Sequence, residues 1–395
     1  MFESTLPSLR CPRRGPRASA PICGSRLQLE VSQAVTGASS RGAPEVRSGS
    51  LVCEKCRSRF PILAGIAVLV PDVRSYLQDH VKGIARFVTD AEIPAEHRKS
   101  YLAAKSQIQT EHIEEDLEAE RVTALYLMNH YLPALGGDWW KAGGRPPSPL
   151  IEALVREHWD RGPFDQIGHW LRELRHASPG GVDKSNPPPS TAAGRLGRAI
   201  ELGCGVGGLY LKIRSDVDSY LGVDGSFASI ALARHAALGM PYPQPLRVPA
   251  DLLQGSVSRK ITLPPVAAPD GHADFVVGDL DAVPVARAAW DLSFALNAID
   301  MLVKPETLPR EQADLLRTGG YAIQSGPYVW HEQVARELRS RLPKRIVDSD
   351  RAVEWLYEQA GFSIERRIEH WPWLFFKHLR QLEIYSVHLI LARKA

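Results

Sequence analysis

The sequence has no apolar segment long enough to cross a membrane as a helix, and this absence sets the first limit on its function. A transmembrane helix needs about 20 consecutive apolar residues. The longest apolar run, residues 62–70, lies between Pro61 and Pro71 and is far shorter. The stretch "MFESTLPSLRCPRRG" also lacks the apolar core of a secretory signal peptide. We therefore expect a cytoplasmic protein with no membrane partner.

The chain also carries little excess charge and few cysteines. Its formal net charge of +3 at pH 7 gives no electrostatic case for a dedicated nucleic-acid-binding protein. Hydrophobic residues make up 44% of the sequence, enough to build a core without a metal ion. Four of the five cysteines lie within the first 56 residues: Cys11, Cys23, Cys53 and Cys56. In a reducing compartment such a cluster favours metal binding over disulfides.

What the sequence does contain divides into four segments. Residues 1–72 are rich in Arg, Gly, Pro and Ser with short strand-like runs, and predict a small β-rich module. Residues 73–176 have helical spacing and predict a helical linker or lid, whereas residues 177–197 predict a flexible linker. Strands and helices alternate over residues 198–395. This order predicts an α/β domain, a mostly parallel Rossmann-like sheet with helices on both faces.

The stretch "AIELGCGVGGLYL" predicts a ligand-binding turn between a buried strand and a helix. Glycines at positions 203, 205 and 207 are needed if the backbone turns sharply and a ligand lies against it. Together with Gly208 the spacing also satisfies G-x-G-x-x-G, so a dinucleotide-dependent dehydrogenase is an alternative. A tight turn without a ligand is a further alternative.

Three acidic residues near the ends of the first three strands of this domain help to separate the two kinds of enzyme. Glu201 lies inside the first strand, just before the glycines, where a dehydrogenase normally has an apolar residue. Asp224 ends the second strand and suits either cofactor, since a carboxylate accepts hydrogen bonds from ribose hydroxyls. Asp279 ends the third strand and is placed to meet an adenine amino group. Glu201 and Asp279 therefore disfavour the dehydrogenase.

The segments "ELGCGVGG", "GVDGS", "GDLDAVP", "WDLSFALNAID" and "LLRTGGY" occur in this order, and together they resemble the class I S-adenosylmethionine-dependent methyltransferases. The resemblance implies that Gly203, Gly205 and Gly207 let the methionine part of S-adenosylmethionine approach the backbone. It also implies that Glu201 orients that end of the site and that Asp224 holds the ribose hydroxyls. Adenine would contact Asp279 and the backbone of Leu280. The final segment "SVHLILARKA" is expected to form an antiparallel edge strand.

Methyl transfer is predicted to take place beyond the fourth strand of this domain. The resemblance implies that Asn297 faces the methyl-transfer site, and Asp300 follows it in sequence. Such an enzyme mainly aligns donor and acceptor, and it needs a general base only if the acceptor is protonated. Candidates for that base are Asp300, His331 and His370. Cys204, inside the glycine turn, is interpreted as a packed residue rather than a nucleophile.

The N-terminal segment "LRCPRRG…LVCEKCRSRFPILAGIAVLVPD" resembles the small zinc-ribbon activator that partners tRNA, rRNA and protein-release-factor methyltransferases. The resemblance implies a zinc site built from two cysteine pairs. Cys53 and Cys56 provide one pair, but Arg14 stands where the partner of Cys11 is expected. Cys23 is the remaining thiol that can replace it. A ribbon that has lost its metal is the alternative.

These expectations combine into one functional hypothesis. We expect an S-adenosylmethionine-dependent methyltransferase whose acceptor is a small metabolite, a tRNA or a protein, with zinc as a possible second cofactor. The N-terminal module is expected to pack in cis on the catalytic domain and to help cover the cofactor site. The alternatives are an NAD(P)-dependent oxidoreductase and a non-catalytic binding protein with a methyltransferase-like fold.

Overall fold

The fold is given by a computed structural model, which describes residues 1–15, 21–35, 44–110, 125–127, 129–131, 148–176, 194–237, 246–249, 258–261, 273–378 and 381–395. The strands are β1 (Leu27–Val35), β2 (Glu45–Cys53), β3 (Arg59–Leu63), β4 (Ile66–Leu69), β5 (Leu196–Leu202), β6 (Val217–Asp224), β7 (Leu246–Pro249), β8 (Ser258–Ile261), β9 (Ala273–Gly278), β10 (Trp290–Leu296), β11 (Leu316–Gly326), β12 (Phe362–His378) and β13 (Gln381–Lys394). Most of the predicted linker, residues 177–193, lies outside the described residues.

The α-helices of the described residues lie between these strands and before β5. They are α1 (Val73–Asp79), α2 (Val81–Ile84), α3 (Ala95–Thr110), α4 (Pro149–Arg161), α5 (Pro163–His176), α6 (Gly208–Ile213), α7 (Phe227–Ala237), α8 (Thr307–Leu315), α9 (Glu332–Arg341) and α10 (Ser349–Gln359). Residues 125–127 and 129–131 are also helical. Among the described residues, no helix combines the length and the apolar character that a membrane span requires.

Eleven of the described strands form one sheet, in the order β1-β2-β3-β4-β9-β6-β5-β10-β11-β13-β12, and β7 pairs with β8. Neighbouring strands from β4 to β11 are parallel. The chain steps from β5 to β6 and β9 on one side, then crosses to β10 and β11 on the other. Because such crossovers are right-handed, the helices of the two halves cover opposite faces. The predicted Rossmann-like α/β class is confirmed, and ligands of such sheets bind outside the carboxyl ends of the strands where the order reverses.

The C-terminal strand is not at the edge of the sheet, so that prediction is wrong. β13 lies between β11 and β12 and is antiparallel to both, which leaves β12 at the edge. Residues 387–392 of β13 are continuously buried, which is typical of a strand covered on both faces. Burial of that kind can be read from the sequence, but the choice of neighbours depends on long-range pairing with β12.

β12 and β13 continue beyond the end of β11 as a two-stranded ribbon. Gly326, the last residue of β11, faces His388 of β13. Residues 371–376 pair with residues 382–387, which precede His388 in β13. This ribbon, here called the C-terminal arm (residues 371–378 and 381–387), therefore projects past the carboxyl edge of the parallel sheet, where ligands are expected.

The N-terminal module extends the same sheet. β1 to β4 form an antiparallel meander, and β4 then pairs in parallel with β9. In that pairing Val68 faces Val277 and Leu69 faces Gly278. The four residues of β4 are all buried. β4 thus covers what would otherwise be the exposed edge of β9, which removes a row of unpaired backbone groups.

A buried ionic cluster joins the module to the α/β domain. Arg234 of α7 donates to Glu45 Oε1 of β2 at 2.8 Å and also to the carboxylate of Asp274 in β9. The three side chains are at most 5% exposed. Burial alone would raise the pKa of Asp274, but Arg234 and the N–H of Phe2 lower it below its usual value. Because a buried charge without its partner is strongly unfavourable, these three residues fix the two parts in one arrangement.

Candidate active site

The glycine turn follows β5, at the point where the strand order reverses. Gly203, Gly205 and Gly207 have φ angles of +74°, +51° and +77°, which L side chains rarely adopt. Gly203 N–H donates to Val223 O of the neighbouring strand at 2.8 Å, which fixes the start of the turn. A Cβ placed on Gly205 would meet no atom of the described residues within 4 Å. The turn is therefore open on that side and leaves room for a ligand against the backbone.

Asp224 binds the glycine turn to the end of β6. Its Oδ2 accepts from Gly205 N–H at 2.9 Å, and its Oδ1 accepts from Ser226 N–H at 2.8 Å. Burial raises the pKa of this carboxyl above its usual value, although the two N–H groups lower it in part. Each carboxylate oxygen can accept a further hydrogen bond. The position therefore suits a carboxylate that holds hydroxyl groups next to the turn.

Glu201 lies beneath the turn, in a polar pair with Tyr220. The side chain is 3% exposed, and Tyr220 Oη donates to Glu201 Oε2. Burial raises the pKa of Glu201 to about 8, although the tyrosine lowers it in part. Cys204 is buried nearby, and burial raises the pKa of its thiol well above the usual value. A nucleophilic cysteine needs a lowered pKa, so Cys204 has the character of a packing residue.

The loop after β9 contains the two residues predicted to contact adenine. Asp279 is exposed and begins a short 3-10 helix, Leu280–Ala282. Its Oδ1 accepts from Asp281 N–H at 2.9 Å. Leu280 is half-buried and packs against the core. An exposed carboxylate beside a half-buried apolar residue suits the edge and the face of a purine ring.

Asn297 and Asp300 follow β10, and they contact the end of β11 and the segment after it, respectively. Asn297 has φ +52°, its N–H donates to Ser325 O at 2.8 Å, and its Oδ1 accepts from Ser325 Oγ at 3.2 Å. Asp300 is 8% exposed, and its Oδ2 accepts from Val329 N–H at 2.8 Å. Asp300 Oδ1 is buried and has no hydrogen-bond partner among the described residues. Such an oxygen is costly unless a ligand or water pairs with it.

The two histidine candidates for the general base lie on the surface. His331 is exposed and immediately precedes α9. His370 is exposed at a bulge of β12, with φ +59°, and its Nδ1 lies 3.0 Å from Ser386 Oγ. Asp300 is the buried member of the three, with an unpaired oxygen, and the geometry favours it over both histidines.

Sequence reasoning predicted a helical lid but did not single out Tyr131 and His130, which cover the glycine turn. Tyr131 Oη donates to Val206 O of the turn at 2.5 Å. His130 packs so closely on α6 that a Cβ on Gly208 would lie 2.4 Å from its Nδ1. Burial lowers the pKa of His130 to about 4, so the ring is neutral near pH 7. Helical spacing predicts the helix that carries these residues, but not the surface on which it rests.

The same cover extends to the C-terminal arm through edge-to-face aromatic contacts. Tyr126 meets Phe375 with ring centroids 5.6 Å apart, and Phe164 of α5 meets Trp373 at 5.3 Å. His158 of α4 accepts a 3.4 Å hydrogen bond from a backbone N–H of the arm. Contacts of this geometry are favourable beyond their buried area. Residues from before β5 and from the last two strands thus meet beside the glycine turn.

A second cluster lies in the N-terminal module. The sulfurs of Cys11, Cys23, Cys53 and Cys56 all lie within 4.8 Å of one another. Cys11 Sγ is 3.6 Å from Cys56 Sγ, and Cys23 Sγ is 3.7 Å from Cys53 Sγ. A tetrahedral zinc ion with Zn–S bonds of about 2.3 Å holds its sulfurs about 3.8 Å apart. The four cysteines therefore fit a closed metal site, with Cys23 in the place that Arg14 leaves vacant.

Residues 200–324 match the protein family described as "Methyltransferase domain". The chain carries a methyltransferase domain. The matched range runs from inside β5 to inside β11, so it contains the glycine turn, Asp224, the loop after β9 and Asn297. The prediction of an S-adenosylmethionine-dependent methyltransferase is therefore confirmed. The match does not identify the methyl acceptor.

Among curated proteins no sequence matches this methyltransferase. Solved structures similar to it include magnesium protoporphyrin IX methyltransferase (ChlM) from Synechocystis PCC 6803 with bound SAH, at 16% identity over 69% of this chain and 100% of that chain, with a TM-score of 0.37. A second similar structure is the complex between the Haloferax volcanii Trm112 methyltransferase activator and the putative methyltransferase. It is 16% identical over 61% of this chain and 96% of that chain, with a TM-score of 0.34. A third is a putative sarcosine dimethylglycine methyltransferase from Galdieria sulphuraria. It is 12% identical over 58% of this chain and 86% of that chain, with a TM-score of 0.35. The enzyme class follows from the domain match and not from these likenesses.

Proposed function

We propose that this methyltransferase transfers the methyl group of S-adenosylmethionine to a small-molecule acceptor bound beside Asn297 and Asp300. The observation that carries the proposal is the open left-handed turn at Gly205, bonded to Asp224 at the carboxyl end of the sheet. The cover provided by Tyr131 and the C-terminal arm supports a small acceptor, because a folded macromolecule needs an open surface. A tRNA or protein acceptor is the second candidate, favoured by the activator-like module.

The cofactor contacts proposed here follow the order of the strands. The glycine turn would receive the methionine part, since its backbone is exposed at Gly205. Asp224 would accept hydrogen bonds from the ribose hydroxyls, and Asp279 with Leu280 would contact adenine. Glu201 would act from beneath the turn, where its carboxyl group, neutral or negative, would set the electrostatic potential around the methyl donor. Burial supports the role of Glu201, and a position at the end of a strand supports the roles of Asp224 and Asp279.

The chemistry requires alignment more than acid–base help. S-adenosylmethionine supplies an electrophilic methyl group bound to a sulfonium. Asn297 and the glycine turn would hold donor and acceptor in line, so that the acceptor lone pair forms the new bond to carbon while the sulfur keeps the electrons of the old one. A protonated acceptor would pass its proton to Asp300 Oδ1, which has no partner among the described residues. The covering aromatic residues would exclude water.

We also propose that the four cysteines bind zinc. Support comes from their mutual distances and from the chemistry of an all-thiolate set, which zinc prefers in structural sites. Such an ion would close the N-terminal module and take no part in methyl transfer. Metal analysis of the purified protein tests this proposal. We expect about one zinc ion per chain and a marked loss in Cys23→Ser, and a metal-free wild-type protein would contradict it.

The module is proposed to act in cis as a permanent cover of β9. The pairing of β4 with β9 and the cluster around Arg234 support this arrangement. Removal of residues 1–72 should therefore yield an aggregating or inactive protein. A soluble and fully active truncated enzyme would show that the module is dispensable.

Two measurements test the proposed reaction. Calorimetry should detect binding of S-adenosylhomocysteine but not of NAD to the full-length protein. Incubation with methyl-labelled cofactor and a cell extract, separated into RNA, protein and small molecules, should then place the label in the small-molecule fraction. Label in RNA or protein would favour the second candidate, and absence of cofactor binding would contradict the proposal as a whole.

A further inference from the structure

The N-terminal segment runs directly beside the proposed adenine loop. Ala286 N–H donates to Ser8 O at 2.8 Å, and Arg10 N–H donates to Pro284 O at 2.8 Å. These bonds attach the start of the chain to the residues that immediately follow the 3-10 helix Leu280–Ala282. The module therefore contacts the cofactor side of β9 as well as its edge.

Arg14 reaches the adenine loop itself. This half-buried side chain donates from Nη2 to the carbonyl oxygen of Asp281. The N–H of Asp281 is held by Asp279 Oδ1 at 2.9 Å. Both backbone polar groups of Asp281 are therefore hydrogen-bonded. Asp279, the proposed adenine contact, bonds its N–H, and Arg14 bonds its carbonyl oxygen. An arginine is suited to this contact because it is always charged and its planar group carries several donors.

The backbone around Arg14 explains how a residue in a cysteine position can take this role. Arg14 bridges Ile22 in an antiparallel arrangement, and Cys23 N–H donates to Arg13 O at 2.8 Å. The returning chain brings the sulfur of Cys23 to 3.7 Å from that of Cys53. Position 14 is therefore not required for the cysteine cluster, and its side chain points instead to the loop after β9.

We propose that Arg14 is a positioning residue for the adenine-binding loop of this methyltransferase. It acts through the Asp281 peptide and does not touch the cofactor, so it stabilises the orientation in which Asp279 and Leu280 meet the base. The inference rests on the proposed function, in which that loop binds adenine. It predicts an effect confined to ligands that carry the base.

The test compares S-adenosylhomocysteine with S-ribosylhomocysteine, in which a hydroxyl group replaces the adenine base. In Arg14→Ala the Kd for S-adenosylhomocysteine should rise about tenfold, which corresponds to about 1.4 kcal/mol. The Kd for S-ribosylhomocysteine, measured by competition, should stay within about twofold of wild type. Arg14→Lys keeps a charged donor and should recover part of the affinity.

Arg13→Ala is the matched control. The exposed Arg13 donates to Pro71 O at 2.6 Å and not to the adenine loop, so its removal should leave both Kd values unchanged. Circular dichroism of each variant checks the fold. If Arg14→Ala does not fold, the two Kd values are compared for Arg14→Lys instead. Equal losses for both ligands, or no loss for either, would overturn the role of Arg14. A wild-type protein that binds neither ligand would overturn the proposed function, and this inference with it.

Discussion

Gly205→Ala tests whether the open glycine turn is a cofactor site. Gly205 has φ +51°, and within the part of the chain that the structure describes a Cβ on it meets no atom within 4 Å. The free protein should therefore lose only the cost of a left-handed alanine, about 1–2 kcal/mol. Gly361, between α10 and β12, has φ +88° and is equally open. Gly361→Ala consequently provides a control with a comparable backbone cost and no link to the site.

The two variants should differ in cofactor affinity. In Gly205→Ala the new methyl group occupies space that we assign to the cofactor, so the Kd for S-adenosylhomocysteine should rise at least about tenfold, or about 1.4 kcal/mol. Gly361→Ala should keep the wild-type Kd. Urea titration gives the free energy of unfolding, and calorimetry gives the Kd. A Gly205→Ala protein with wild-type affinity would refute the assignment, whatever its stability.

Three further perturbations test the site and its support. Asp224→Ala should weaken S-adenosylhomocysteine binding by about tenfold or more, because it removes the ribose acceptor, and calorimetry that finds wild-type affinity would contradict the contact. Glu45→Ala leaves Arg234 buried with one partner fewer and should lower the free energy of unfolding by about 3–5 kcal/mol, measured by urea titration; a change below about 1 kcal/mol would show that the cluster is not needed. Burial raises the pKa of Glu201 from 4.5 to about 8, so the folded state favours the neutral acid. The stability that Glu201 contributes is therefore present below pH 4.5 and is lost as pH rises through about 8. Glu201→Gln should flatten this part of the stability profile, and an unchanged slope would contradict the raised pKa.

The local parts of the site could be predicted because their signals are short. An apolar strand followed by Gly203, Gly205 and Gly207 requires a turn with positive φ, whatever surrounds it. Asp224 and Asp279 each follow an apolar run that ends at the same edge of a parallel sheet. Their approach to one ligand follows from the sheet type alone.

The parts that could not be predicted depend on contacts between distant residues. Helical spacing predicts the helix that carries Tyr131, but its bond to Val206 arises only when that helix packs on the turn. Nothing near β13 shows that it lies between β11 and β12. The Asp300 oxygen that lacks a partner among the described residues is likewise buried, which its own short segment of sequence does not indicate.

The sequence by itself determined the class of the domain, the glycine turn and the residues at the strand ends, because these depend on backbone sterics and on the alternation of strands and helices. Only the tertiary structure decided that Cys23 joins the other three cysteines and that Arg14 bonds to the loop after β9. Both outcomes depend on the antiparallel bridge between Arg14 and Ile22 and on the pairing of β4 with β9. Such distances are set by long-range packing, which no local pattern encodes.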